Sequence, residues 1–365
     1  MTNIKRLFCL LGIFIYMVFA PSAIADNAYT FQKGVNISHW MAQHFEGKYA
    51  DPWRFSESEA KWIAEHGFDH VRIPVDGRIL LSVEGKLINE LMEPFDRALI
   101  WAKKYHLGVI LDMHYLPGSE FLKSAEENAL WRDPQLQNVA LSLWKQLAEK
   151  YLPYRDILRF EVMNEAVAPK HSDVNALNEK LVTAIRGIDK DRILYVTANE
   201  WGMFKNAEFV HVFKDDPNVQ YVFHYYEPII FTHQNAPWVP YLIDYYTKAV
   251  SFPDKLTDLD KYFPKGSPML VFNNVELDAG FINNDFDRLG AWAKRNKVQV
   301  LISEFGVINR ADADSARRWV AALTSAAERN GFGLTIWDYK GDFRVNDNGK
   351  PTANWEGLFE SADKK

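Results

Sequence analysis

The chain has 365 residues, 48% of them hydrophobic and 25% charged, enough apolar material for one large core or two ordinary domains. Its formal charge is −6 and it contains no basic run, which argues against nucleic acid or an anionic membrane surface as a partner. Twelve tryptophans and an aromatic share of 14% either pack that core or line a cleft for flat apolar faces.

Residues 1–25 read as an export signal. Lys5-Arg6 is a basic start, Leu7 to Ala20 is an apolar stretch too short to span a membrane, and Ala23-Ile24-Ala25 is a small-x-small cleavage site. The mature chain is expected to start at Asp26 with a formal charge of −8. It is expected to be secreted, extracellular or periplasmic, with no membrane association after cleavage; an uncleaved anchor is the alternative. The single cysteine, Cys9, lies in this segment, so the mature chain is expected to have no disulfide and no thiolate chemistry.

A β/α alternation follows. Lys33 to Ile37 is a short strand. Ser56 caps a helix that runs to His66, with Glu59 at the capping-box position and Gly67 as its stop. His70 to Pro74 is the second strand, closed by Pro74. A helix from Asn89 to His106 sets Phe95, Leu99 and Ala102 on one face. Gly108 to His114 is the third strand, and Pro134 to Lys150 is a helix containing Leu141, Trp144 and Leu147. Ile157 to Met163 is the fourth strand, and it runs straight into Asn164-Glu165. A buried strand cannot hide a lone carboxylate, so this pair belongs at an open rim.

Val174 to Ile188 is a helix, Ile193 to Thr197 the fifth strand, 204–213 a weak helix and Val219 to His224 the sixth strand. A long connection comes next, about 227–284, with a short helix over Pro237 to Val250 and a short strand over Met269 to Phe272. It carries Phe231, Trp238, Tyr241, Tyr245, Tyr246, Phe252, Tyr262, Phe263 and Phe272, too many rings for a disordered segment. It is expected to wall one side of a cleft. Phe286 to Arg295 is a helix, Val298 to Glu304 the seventh strand, Ala313 to Asn330 a helix and Gly333 to Trp337 the eighth strand. Eight such units within residues 26–365 close most naturally into one α/β domain, a (β/α)8 TIM barrel. The competitor is a doubly wound open sheet. Its Gly-x-Gly turn is missing from Asn36-Ile37-Ser38-His39-Trp40.

Polar residues recur at or just beyond strand ends: Asn36 and His39, Arg72, Asp112 and His114, Asn164 and Glu165, Asn199, His224 and Tyr226, Glu304, and Trp337. In a barrel these ends converge on one face, where active sites lie. Glu165 and Glu304 would face each other across the mouth, as two carboxyls flanking one glycosidic bond do. Arg72 can keep Glu304 ionised, Asn164 can hold a sugar 2-hydroxyl, Tyr226 can orient the nucleophile and Trp337 can form the floor under a sugar ring. Trp40 and Trp238 are further cleft candidates. His114 and His224 could be satisfied core histidines; beside two glutamates they are read as site residues. No His-x-His occurs, so neither a catalytic metal nor a cofactor is expected. Asp112 and Glu161 are expected to brace the barrel, and the sequon Asn36-Ile37-Ser38 to stay idle at a strand end.

Taken in order, Gly34-Val35-Asn36, His70-Val71-Arg72-Ile73-Pro74, Leu111-Asp112-Met113-His114, Phe160-Glu161-Val162-Met163-Asn164-Glu165, His224-Tyr225-Tyr226-Glu227-Pro228, Ser303-Glu304-Phe305-Gly306 and Trp337-Asp338-Tyr339 resemble glycoside hydrolase family 5, the retaining endoglucanase and mannanase group of clan A. The resemblance runs from Gly34 to about Phe343. It implies that Glu165 is the acid/base and Glu304 the nucleophile, with Arg72, His114, Asn164, His224, Tyr226 and Trp337 on the family's other recurrent site positions. One departure is Ala166, where the family usually has proline; a slightly altered turn is expected there. The implied function is a retaining endo-β-glycanase acting, as a monomer, on β-glucan polysaccharide or oligosaccharide, β-1,4-linked as first choice. The alternatives are β-mannan, β-1,3-glucan and a catalytically silent carbohydrate-binding barrel. Pro117-Gly118-Ser119 resembles exo-β-1,3-glucanase relatives. A silent barrel would normally have lost Glu165 or Glu304.

Overall fold

Eight parallel strands close on themselves in the order β1-β8-β7-β6-β5-β4-β3-β2. They are β1 (Lys33–Asn36), β2 (His70–Asp76), β3 (Gly108–Tyr115), β4 (Leu158–Glu161), β5 (Leu194–Thr197), β6 (Val219–Tyr225), β7 (Val300–Phe305) and β8 (Gly333–Ile336). This computed structural model describes residues 30–44, 49–51, 54–239, 242, 246 and 248–355. The expected export signal and, in the long connection, Tyr241 and Tyr245 lie outside the described residues. Six long helices among the described residues cover the barrel: α1 (Glu57–Glu65), α2 (Asn89–Lys104), α3 (Pro134–Lys150), α4 (His171–Arg186), α5 (Ala279–Asn296) and α6 (Ala313–Asn330). The chain is the expected (β/α)8 barrel.

The strands carry two codes at once. On β2, Val71, Ile73 and Val75 join the large core against the helices, and on β3 Val109, Leu111 and Met113 do the same. The alternate residues, Arg72 on β2 and Ile110 and Asp112 on β3, face the barrel axis, because successive side chains point to opposite faces. Towards the N-terminal end the axis is filled by Phe31, Ile110, Tyr195, Val222 and Leu301. Phe31 stacks on His70 with centroids 4.5 Å apart, and the Arg159 guanidinium lies 3.6 Å over the same ring. Towards the C-terminal end the inward residues turn polar, which is where the chemistry can sit.

Several boundaries differ from expectation. Pro74 does not close β2; it pairs in register with Asp112, and the strand runs on to Asp76. Arg72 O accepts from Ile37 N–H, and Asp76 N–H donates to Met41 O. Pro74 therefore turns its missing N–H towards the gap left where β1 has ended, and no ladder bond is lost. Ser56 takes the N-cap position but gives no backbone cap; its hydroxyl bonds the Glu59 carboxylate instead. Helix α5 starts at Ala279, seven residues before Phe286, because the Asp278 side chain accepts from Phe281 N–H at 3.0 Å. The stretch expected as a strand, Met269 to Phe272, is a 3-10 turn over Pro268–Phe272. Ser267 Oγ caps Met269 N–H, and Pro268 suits the first position of a helical turn. The weak helix expected over 204–213 is a 3-10 segment, Phe204–Phe209.

Among its described residues, the long connection between β6 and α5 holds several short elements. It contains a helical turn (Ile229–Thr232), an antiparallel pair joining Asp254–Lys255 to Glu276–Leu277, and the turn Leu259–Lys261. Phe231, Phe252, Phe263 and Phe272 are all buried, so these rings hold the segment together. The expected helix over Pro237 to Val250 includes residues outside those described.

Candidate active site

Glu304 reaches the barrel mouth through a break in strand register. On β6 and β7, Phe223 pairs with Ile302, but His224 pairs with Glu304, so Ser303 is the extra residue. Ile302 faces the helices with the large core. Strict alternation would send residue 304 the same way. The extra residue re-aims it into the cleft. Glu165 arrives differently, four residues past the end of β4. That segment is pinned by Asn164 N–H to Met113 O, by Trp201 N–H to Ala166 O and by a parallel bridge between Ala166 and Asn199. Ala166 is fully buried, so the turn closes without the family's proline.

Arg72 is the hub. It is fully buried. Its Nε and Nη2 grip both Glu161 oxygens at 2.7 Å. Nη1 donates to Asn36 Oδ1 and to Glu304 Oε1, each at 2.8 Å. Nη2 donates to Asn164 Oδ1 at 2.7 Å and lies 3.1 Å from Asp112 Oδ2. Glu161 and Asp112 thus brace the guanidinium, as expected. Asp112 Oδ2 is also 2.7 Å from His114 Nδ1. Asn36 spends its amide on Ser303 O and Ile336 O, so the sequon asparagine is sealed inside the barrel.

The two site glutamates lie together. A carboxylate oxygen of each and a ring nitrogen of His224 are all within 4.8 Å of one another. His224 Nδ1 is 2.8 Å from Glu165 Oε1 and 3.6 Å from Glu304 Oε2. Tyr226 Oη donates to Glu304 Oε2 at 3.1 Å. Glu304 therefore receives two hydrogen bonds, from Arg72 and Tyr226, that favour its charged form. Among the described residues Glu165 has a hydrogen-bonding partner only in His224, and 14% of its side chain stays exposed. Burial pushes the Glu165 carboxyl up to about 8 and drives the His224 and His114 imidazoles down to about 4 and about 3. Burial also raises Glu304, against the pull of His224 and Arg72. Burial thus outweighs the Arg72 charge that was expected to keep Glu304 ionised. Burial thus favours the protonated form of Glu165, whose Oε1 shares a hydrogen bond with His224 Nδ1.

Glu165, His224 and Glu304 are close enough to share a metal ion. The Arg72 guanidinium, 2.8 Å from Glu304 Oε1, already pairs with one of these carboxylates. The ring of Trp337 lies parallel to His114, with centroids 5.8 Å apart, and His39 meets Trp337 edge-on at 6.4 Å. His114 Nε2, His224 Nε2 and Asn164 Nδ2 are buried and have no protein partner, so a polyhydroxylated ligand would find donors and acceptors ready for it.

The structure brings Arg72, His114, Asn164, Glu165, His224, Tyr226, Glu304, His39 and Trp337 to one rim. Trp238 stands further out. It is 43% exposed and reaches Tyr226 only through the rings of His233 and Phe343. Trp40 is not in the cleft; it is 2% exposed and packs against Phe55. Asn199 spends its side chain on the backbone of Ala168. Trp201, which the sequence reading passed over, is 42% exposed at the end of β5. Glu200 and Trp201 both have left-handed backbone, with φ of 57° and 60°, a conformation that costs about 1–3 kcal/mol per non-glycine residue. Trp201 Nε1 donates to Phe121 O at 2.7 Å, and the Phe121 ring meets His114 edge-on. An aromatic residue just past a barrel strand was the signal that could have found it.

Fold and rim together define a (β/α)8 glycoside hydrolase. The sequence model of cellulase, glycosyl hydrolase family 5, matches residues 31–342, and the chain belongs to that family. It is 33% identical over 336 residues to Endoglucanase C of Acetivibrio thermocellus, covering 89% of this chain and 96% of that one. Among solved structures, Thermotoga maritima Cel5A in complex with cellobiose superposes with a TM-score of 0.71 at 26% identity, covering 90% of this chain and 96% of that one. The same enzyme in complex with mannotriose gives a TM-score of 0.71 at 27% identity, with the same coverage.

Proposed function

We propose that this chain is a secreted, retaining endo-β-1,4-glucanase that works as a monomer, with Glu304 as nucleophile and Glu165 as acid/base. The observation that carries the mechanism is the carboxylate pair. Oxygens within 4.8 Å of each other favour retention, which uses carboxyls about 5–5.5 Å apart, over inversion, which needs roughly 6.5–9.5 Å. In the first step Glu304 bonds the anomeric carbon as the glycosidic bond breaks, and Glu165 gives its proton to the departing oxygen. Arg72 and Tyr226 hold Glu304 in line for attack. Esterification removes a negative charge beside Glu165 and so lowers its proton affinity. In the second step Glu165 takes a proton from water, the water oxygen bonds the anomeric carbon, and Glu304 leaves as carboxylate. Asn164 Nδ2 and the Nε2 atoms of His114 and His224 are the groups that would take sugar hydroxyls.

The glucan reading is supported by the likeness to Endoglucanase C and to a cellobiose-bound structure. Mannan is the second reading, because the same Cel5A was also solved with mannotriose. Export is supported by the basic, apolar and Ala-Ile-Ala sequence of residues 1–25. Reducing-sugar release from β-1,4-glucan, β-1,3-glucan and β-mannan separates the substrates, and NMR of the first product identifies the anomer. Release from β-1,4-glucan with a β product is expected. No release from any of the three, or an α product, overturns the reading.

A further inference from the structure

Tyr226 has one hydroxyl and spends it on Glu304 Oε2 at 3.1 Å. Hydrogen bonds between oxygens run about 2.5–3.0 Å, so this one has no slack, and a small drift of the phenol breaks it. The pairing of β6 with β7 ends at Tyr225 and Phe305, so no strand ladder holds Tyr226. Thr232 takes over where the ladder stops. It is fully buried and ends the helical turn Ile229–Thr232. Its hydroxyl donates to Tyr226 O at 2.6 Å, and its own carbonyl accepts from Ile308 N–H at 2.9 Å. One residue therefore ties the chain just past β6, which carries the phenol, to the chain just past β7, which carries the carboxylate.

His233 backs this clamp. Its Nδ1 lies 3.1 Å from Thr232 Oγ1. The Thr232 proton is committed to Tyr226 O, so the second bond takes its proton from Nδ1, which fixes the tautomer. Burial drives the His233 imidazole down to about 3, so the ring is neutral near neutral pH. It meets the Tyr226 ring edge-on with centroids 4.8 Å apart, and Phe343 meets the same ring at 5.9 Å. Tyr226 is thus held by its ring and, through Thr232, by its backbone. The turn is itself anchored in the long connection. Gln234 donates to Phe231 O and Val250 O and accepts from Val250 N–H.

We propose that Thr232, backed by His233, is a positioning residue that holds the Tyr226 hydroxyl on the Glu304 carboxylate, so that the connection after β6 steers the group that attacks. The proposal rests on the glycosidase reading and deepens it. kcat/KM is measured against pH on an aryl β-cellobioside with a very good leaving group, whose acid limb reports the ionisation of Glu304. Thr232→Val keeps the shape and removes the hydroxyl. Glu304 also faces Arg72, His224, His114 and Glu165, none of which hydrogen-bonds to Thr232 among the described residues. The charged carboxylate loses a donor, so the limb should move up by about half a unit, which is a roughly threefold fall on its acid side. Thr232→Ser should restore the wild-type limb. In a Tyr226→Phe chain, which has no phenol hydroxyl to hold, Thr232→Val should move nothing further. An unmoved limb with a lowered melting temperature makes Thr232 a mere brace of the turn and overturns the proposal. So does an equal shift in the Tyr226→Phe chain, or a serine variant no better than the valine. Should Thr232→Val not fold, His233→Phe keeps the ring, removes Nδ1 and carries the same test; an unmoved limb there overturns the clamp. A wild-type chain that cleaves neither the aryl glycoside nor any β-glucan overturns the glycosidase reading instead. Carbon NMR titration of the Glu304 carboxyl, assigned by its loss in Glu304→Gln, needs no turnover and then still decides: a midpoint unchanged by Thr232→Val overturns the clamp.

Discussion

Replacing Arg72 with methionine tests the site as a charge cluster. The substitution keeps the stem and removes the guanidinium that bonds Glu161, Glu304, Asn36 and Asn164 and pairs with Asp112. Removing one partner of a buried ion pair costs about 3–5 kcal/mol, because the other charge is stranded. At about 2 °C per kcal/mol for a chain of this size, the melting temperature should fall by about 6–10 °C. The loss should also depend on pH. Burial raises Asp112 to about 7 and Glu165 to about 8, and raises Glu161 and Glu304 as well. The native wild type therefore keeps protons that the unfolded chain releases above about pH 4. Its own stability should fall as pH rises from about 4.5 towards 8. Without Arg72 the carboxyls rise further, so the deficit of Arg72→Met should be larger at pH 8 than at pH 5. Calorimetric melts of both proteins at the two pH values measure this. A variant that melts within about 2 °C of wild type at both, or whose deficit is larger at pH 5, would refute the cluster account.

Glu304→Gln should abolish turnover of every substrate, whereas Glu165→Ala should spare aryl glycosides with very good leaving groups, which need no proton in the first step; equal loss of Glu165→Ala on those and on polysaccharide, with deglycosylation not limiting, would exchange or dissolve the roles. For a poor leaving group, kcat/KM should fall as pH rises through about 8, because the acid must carry its proton; a profile flat to pH 10 argues against a protonated Glu165. Trp238→Ala should raise KM on long oligosaccharides more than on short ones, while a uniform fall with a lowered melting temperature would make this half-exposed ring a packing element.

Much of the architecture was legible because the strands and helices repeat simple periods. Phe95, Leu99 and Ala102 recur at helical spacing and are all buried. Glu165 and Glu304 were visible as carboxylates where apolar strands end. Other features depend on partners far away in sequence. Pro74 looks like a strand breaker until Met41 and Ile37 are seen bridging the far side of the gap. Trp40 reads as a cleft candidate, yet it is buried against Phe55. Arg72 was expected to serve Glu304; its division among three carboxylates needs β2, β3, β4 and β7 assembled. The cavity of about 790 Å³ beside His39 is lined by Arg54, Glu59 and Trp62 from one segment and Tyr339, Lys340 and Arg344 from another, which no local pattern connects.

Ser303 makes the placement of Glu304 a matter of counting. Along β7 the odd and even positions are assigned to two different sides, the barrel axis and the helix layer, and residue 304 has the parity of the helix side. One surplus residue shifts the count by a single step just before it matters. The position of the Glu304 carboxylate is thus specified by the number of residues preceding it as much as by its own identity. Losing one residue from 300–303 would leave a glutamate in the sequence and take it out of the cleft. A chain can therefore keep every residue of this site, in order, and still differ from it by one unit of length.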